Sequence, residues 1–105
     1  MSSRTELHSE LYKILGTNNV YFQPPESVSM KYPAIVYAVE SIDNSFSNNV
    51  VYLQKFTYRV IVIDKSPESD IVKKLSKLPK CKYVNHYASD NLYHDVFKII
   101  KEEIV

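Results

Sequence analysis

An α+β domain is what this sequence predicts: a mainly antiparallel sheet of about four to five strands with two helices packed on one face. Three observations carry that expectation. Apolar residues recur at helical spacing near the N-terminus, and apolar and polar residues alternate with a period of two through the middle of the chain. The composition also leans towards strands, with nine tyrosines, four phenylalanines, one glycine and no tryptophan. At 105 residues the chain suits one compact domain, residues 1–105, with a single core.

Taken in order, Ser2 or Ser3 caps a first helix in which Leu7, Leu11, Ile14 and Leu15 share one face, and Gly16 ends it. Asn18 and Asn19 turn the chain into a short strand, Val20 to Phe22, which Pro24 and Pro25 stop because neither can donate to a ladder. Glu26 to Lys31 is a loop. Pro33 then forces Tyr32 into an extended conformation ahead of a strand from Ala34 to Val39, with Ile35, Tyr37 and Val39 on one face. The polar cluster Ser41 to Asn49 is the extended tip of a β-hairpin, with Phe46 exposed on it. The return strand, Val51 to Ile63, sets Tyr52, Phe56, Tyr58, Val60 and Val62 on one face and Lys55, Thr57 and Arg59 on the other.

Asp64 to Pro67 break that strand, and Ser66, Pro67 and Ser69 open a second helix whose apolar stripe is Ile71, Val72, Leu75 and Leu78. Pro79 stops it. A short strand follows, with Cys81, Tyr83 and Asn85 alternating against Lys82, Val84 and His86, and Tyr87 to Asn91 form a turn. Leu92 to Ile100 fits both periods: Val96, Ile99 and Ile100 make a helical stripe, while the same β-branched and aromatic residues suit a strand. No repeat or low-complexity segment interrupts the chain. A helix pair on one face leaves the other face and the sheet edges for a neighbour, as in one subunit of a ring or stack.

Charge is balanced, 13 basic against 12 acidic residues, which argues against nucleic acid as the main partner because phosphate binding concentrates a basic surplus on one face. The lone cysteine, Cys81, has no partner for an internal disulfide or a cysteine-rich zinc site and fits a reducing compartment. The N-terminus is polar, and apolar runs such as Val60 to Ile63 are far short of the ~20 residues that a membrane helix needs. The chain is therefore expected in the cytoplasm, with no membrane partner.

Motifs for chemistry are sparse. A single glycine excludes the phosphate-cradling loops of nucleotide-binding folds. His86, Asp90 and His94 would stack on a helix as metal ligands, but the turn-forming residues Tyr87 to Asn91 break such a helix, so no metal or other cofactor is expected. Cys81 with His86 has the composition of a nucleophile and base without a third orienting group. Glu68 and Asp70 sit where acids favour the start of a helix. The run Lys73, Lys74, Lys77, Lys80 and Lys82 lacks the arginine and aromatic interleaving of a base-stacking surface and is better explained as a solvated helix face leading to an interface. No enzymatic activity follows from these residues.

The blocks VYFQPPES, KYPAIVY, YLQKFTYRVIVIDKSPES and DNLYHDVFKI, spread over nearly the whole chain, resemble small tail-completion proteins of tailed bacteriophages and prophages of Gram-positive bacteria. Those proteins are similar in architecture to tail terminators, which form a hexameric ring that caps the finished tail tube and presents a surface to the head connector. The resemblance implies a structural virion protein at the head-proximal end of the tail, present in the host cytoplasm during assembly. Its implied partners are further copies of itself in the ring, the tail tube protein and the head-completion or connector proteins, with no specific nucleic acid. It favours a strand at the C-terminus, where the charged extension from Lys101 to Val105 departs from the family pattern.

In the ring proteins, loops project from a small sheet towards the tube or the lumen. That places the contact on Asp43, Asn44, Phe46, Asn48 and Asn49, with Phe46 as its apolar anchor. Subunit contacts are expected on Tyr52, Gln54, Phe56 and Tyr58 and on Lys77, Lys80 and Lys82. A head-closure or stopper protein at the head–tail junction is the alternative role. A small host-directed or nucleic-acid-binding protein, or an enzyme without a recognisable motif, is a third.

Overall fold

The computed structural model describes residues 3–25 and 29–105; Ser2 as a helix cap and the first part of the expected loop, Glu26 to Val28, lie outside the described residues. The chain runs α1 (Ser3–Leu15), β1 (Val20–Phe22), β2 (Ala34–Ser47), β3 (Val50–Asp64), α2 (Asp70–Leu75), β4 (Cys81–Ser89) and β5 (Leu92–Ile104). The strands form one sheet in the order β1-β2-β3-β5-β4. Every neighbouring pair is antiparallel except β1 and β2, which run parallel with Val20 beside Ile35 and Phe22 beside Tyr37. This is the α+β architecture with two helices on one face.

The period-two pattern decides which face the helices cover. Ile35 and Tyr37 on β2, Tyr58, Val60 and Val62 on β3, and Phe97 and Ile99 on β5 all point to the helix side, where they meet Leu7 and Leu11 of α1 and Leu75 of α2 in one buried cluster. In α1 the stripe is as expected, and it ends at Gly16, whose φ of +80° suits a residue without a Cβ. Ser3 does not cap the helix. It is buried within the first turn, its amide donating to Glu103 and its hydroxyl lying 2.8 Å from the Tyr58 hydroxyl.

Several expected elements have different bounds. Helix α2 is six residues long, because Ser69 rather than Ser66 is the N-cap, accepting from the Ile71 amide, and Leu78 lies beyond its end in the turn that leads to Pro79. The expected hairpin loop Ser41 to Asn49 is strand as far as Ser47. Only Asn48 and Asn49 turn, with φ of 51° and 62°, as in a two-residue hairpin turn of the kind whose twist matches the flanking strands. The same device closes β4 and β5 at Asp90 and Asn91, with φ of 53° and 63°, so Tyr87 to Ser89 are strand rather than turn. The C-terminal segment is a strand from Leu92 to Ile104. The Tyr32–Pro33 bond that leads into β2 is cis.

The helix-free face is not uniformly polar. Ala34, Ile63 and Val96 are buried on it, and Val36 and Ile61 are half-buried beside them. Apolar residues on both faces at this level explain why Val60 to Ile63 is an unbroken apolar run.

Candidate functional site

Strands β2 and β3 are 14 and 15 residues long, longer than the helices can cover, so their far halves extend as an arm from a molecule measuring 51 × 28 × 23 Å. Two bulges shape this arm. Glu40 is the extra residue of β2 between the Val39 and Ser41 pairings, and Tyr52 is the extra residue of β3 between the Leu53 and Val51 pairings. Strand β5 follows β3 along the arm as far as the pairing of Leu53 with Ile104.

Of the residues expected to contact the tube or the lumen, Asp43, Asn44 and Phe46 stand on β2 and Asn48 and Asn49 form the turn. Asn44 accepts a 3.0 Å hydrogen bond from Gln54 Nε2 on the helix side, while Asp43 faces Lys55 on the other side. Phe46 is 61 % exposed and is joined by exposed Ile42, Val50 and Tyr52 and, from the chain end, Ile104 and Val105. Ile42, Val50, Ile104 and Val105 were not apparent from the sequence, because a polar cluster looked like a loop and the end of the chain lacked an assigned strand.

The expected subunit contacts divide. Tyr58 is 1 % exposed and is a core residue, because its ring packs between sheet and helix and its hydroxyl meets Ser3. Phe56 is half-buried and stacked on Tyr58, with ring centroids 6.2 Å apart. Gln54 is half-buried in the arm, whereas Tyr52 is half exposed. The backbone of this segment is already hydrogen-bonded, since β3 is paired on both sides by β2 and β5. Lys77 is exposed beyond α2, Lys80 pairs with Glu102 at 3.0 Å, and Lys82 lies directly opposite Lys98 at the outer edge of the sheet.

The groups weighed for chemistry are separated. His86 Nδ1 donates to Asp95 Oδ1 at 2.9 Å, and the same oxygen accepts from the Tyr83 hydroxyl at 2.8 Å. Burial, then the Asp95 hydrogen bond and charge, raise the Tyr83 pKa above its ordinary value. Cys81 pairs with Ile99, four residues along β5 from Asp95, which places it about 13 Å from His86 along the sheet. Burial raises the Cys81 thiol pKa, the opposite of what a thiolate nucleophile requires. His94 is on the other face from His86, stacked on Tyr87 with ring centroids 4.6 Å apart, and its Nδ1 is buried without a hydrogen-bond partner. Among the described residues no group of three histidines, cysteines or acids is placed to hold a metal ion, and no helix is long and apolar enough to cross a membrane.

A groove of about 830 Å³ runs between the first turn of α1 and the end of β5, past Ser3, Glu6, Lys101 and Glu103. Its charges have partners: Lys101 is hydrogen-bonded to Glu10 and lies 3.5 Å from Glu6, Glu103 accepts from the Ser3 amide, and Lys80 pairs with Glu102. The arm, with its uncovered apolar side chains, is therefore the strongest candidate for a functional surface. No known protein family and no curated protein matches the sequence.

Proposed function

We propose that this protein is a structural subunit of a bacteriophage tail, assembling as a ring, expected to be hexameric, on the finished tail tube and offering a surface for the head connector. One observation carries the reading: a strand-built arm whose apolar end, Phe46, Val50, Tyr52, Ile104 and Val105, is left exposed among the described residues. Exposed apolar residues gathered at one end of a small domain, here on both faces of the arm, mark a contact surface, and aromatic anchors supply most of the energy at such contacts. The ordered sequence blocks that resemble tail-completion proteins give the surface its partner. On this reading the arm end meets the tube or lumen, and the subunit resides at the head-proximal end of the tail after assembly in the host cytoplasm.

The test is electron microscopy of lysates from a phage carrying a stop codon in this gene, with heads and tails scored separately. Overlong, headless tubes beside filled heads are the expected outcome. Tails of normal length beside leaking heads would transfer the role to head closure, and intact virions would overturn both.

A further inference from the structure

Among the described residues, two long stretches of strand edge have no neighbouring strand, besides the short outer edge of β1 and the end of β5 beyond Ile100. Strand β1 covers the outer edge of β2 only as far as Tyr37, with Gln23 reaching Val39, so the edge from Ser41 to Ser47 has no neighbouring strand. On the opposite side of the sheet, β4 is the last strand and its outer edge is open from Lys82 to Ser89. Neither stretch contains proline, so each offers a continuous row of backbone donors and acceptors.

We propose that these two edges pair with each other between copies, the outer edge of β2 in one copy adding antiparallel to the outer edge of β4 in the next. The inference rests on the ring reading for the partner being a second copy. Three features favour this occupant. First, direction: β4 is separated from β2 by three successive antiparallel pairings and so runs opposite to it, and copies that keep a common up-direction around a ring bring the two edges together antiparallel.

Second, the lengths agree. Val84 is the extra residue of a bulge in β4, so Lys82, Tyr83 and Asn85 to Ser89 match Ser47 back to Ser41 residue for residue. Ser89 then ends beside Ser41, just short of the part of β2 that β1 and Gln23 occupy. In this register Phe46 faces Tyr83 on the helix side, a cross-strand aromatic pair made from two side chains exposed in the single chain, which turns Phe46 to the subunit contact and leaves Val50, Tyr52, Ile104 and Val105 for the tube or lumen.

Third, the charges are complementary. Residues 40–47 carry Glu40 and Asp43 and no base, while residues 80–89 carry Lys80, Lys82 and His86 and no acid. The β4 edge also terminates a row of like charges, since Lys82 is opposite Lys98 and Lys98 opposite Arg59. Within the chain, Glu40 pairs with Lys98 at 3.1 Å; in the proposed register Lys82 is opposite Ser47 and Asp43 opposite Tyr87, so the complementarity is between the two edges as wholes and not between facing residues. The lysine and the bulge at this edge discourage indiscriminate pairing and leave an acidic partner favoured.

Cross-linking of the full chain tests the register. In a Cys81→Ala background, Ser45→Cys and Asn85→Cys are combined in one chain. Within a chain these positions are held about 26 Å apart along the sheet by the pairings Ser45–Leu53 and Asn85–Val96–Ile61, far outside disulfide reach. Mild oxidation is expected to give a ladder of multimers on a non-reducing gel, collapsed by reductant, while each single variant gives at most a dimer. Asp43→Cys with Tyr87→Cys provides a second pair if the first disturbs folding, as read by circular dichroism. A wild-type protein that sediments as an oligomer while neither pair cross-links beyond dimer overturns the edge pairing and leaves the ring reading standing. Dimers from Asn85→Cys alone as abundant as the ladder mean that β4 pairs with itself, which also overturns it. A wild-type chain that stays monomeric, with no ladder, overturns the pairing and the ring together.

Discussion

The hydroxyls of Ser3 and Tyr58 lie 2.8 Å apart in the buried seam between the first turn of α1 and the centre of β3. Each is the other's partner in a place that water does not reach, so the pair fixes where the helix begins on the sheet. Tyr58→Phe keeps the ring and strands the serine hydroxyl, an expected loss of about 1–3 kcal/mol in urea unfolding. Adding Ser3→Ala should recover part of that loss, and a double-mutant cycle with no coupling would contradict the bond. Tyr58→Asp buries a charge at the same point and is expected to prevent folding.

Phe46 makes the opposite prediction. Being 61 % exposed on the arm, it should tolerate Phe46→Ser with the unfolding midpoint changed by less than about 0.5 kcal/mol in stability, while assembly measured by sedimentation or tail completion weakens. Unfolding of the isolated domain by this change would show that Phe46 belongs to the core.

The arm's turn supplies a test that leaves the body untouched. Asn49 holds a φ of 62°, a conformation that costs a β-branched residue about 1–2 kcal/mol. Asn49→Gly is therefore expected to be neutral or stabilising by up to about 1 kcal/mol, and Asn49→Val destabilising, when both are measured by thermal unfolding.

Lys101 predicts an alkaline dependence. Burial, the largest influence, pulls its pKa down, but the hydrogen bond and charge of Glu10, reinforced by Glu6, more than offset this and leave it raised. A folded value above the unfolded value means that the contribution is complete below about pH 10.4 and is lost as pH rises through the folded pKa. Lys101→Met removes the titrating group, so the stability gap between wild type and variant should narrow above about pH 10.4. A gap that stays constant with pH would contradict the linkage.

Tyr83 donates to Asp95 at 2.8 Å, and Asp95→Asn removes the negative charge that, after burial, helps to raise the Tyr83 pKa. Its phenol should then ionise at lower pH than in the wild type, visible as a shift of one tyrosine in an ultraviolet titration. An unchanged titration would mean that burial alone sets the value.

Local signals in the chain were sufficient for much of this fold. The α1 stripe with Gly16, the strand Val20–Phe22 ended by prolines, and the alternation through Tyr58, Val60 and Val62 depend on periodicity and backbone stereochemistry within a few residues, and the structure has them where the sequence places them. Ser41 to Ser47 misled because serine, asparagine and aspartate favour turns in isolation. Here they are held extended by cross-strand pairing with Val50 to Thr57, a tertiary interaction that overrides local preference. The ambiguity at Leu92 to Ile100 has the same origin and is resolved by β3 and β4 on either side. Which aromatic side chains are spare was likewise invisible, since Tyr58 and Tyr52 share one strand and one residue type, yet one is 1 % exposed and the other 50 %. Composition and spacing determined the fold class and most of the core stripes. The strand order, the parallel β1, the length of the arm and the two open edges came only from the folded sheet, because each depends on which distant segments supply hydrogen bonds and which are left without them.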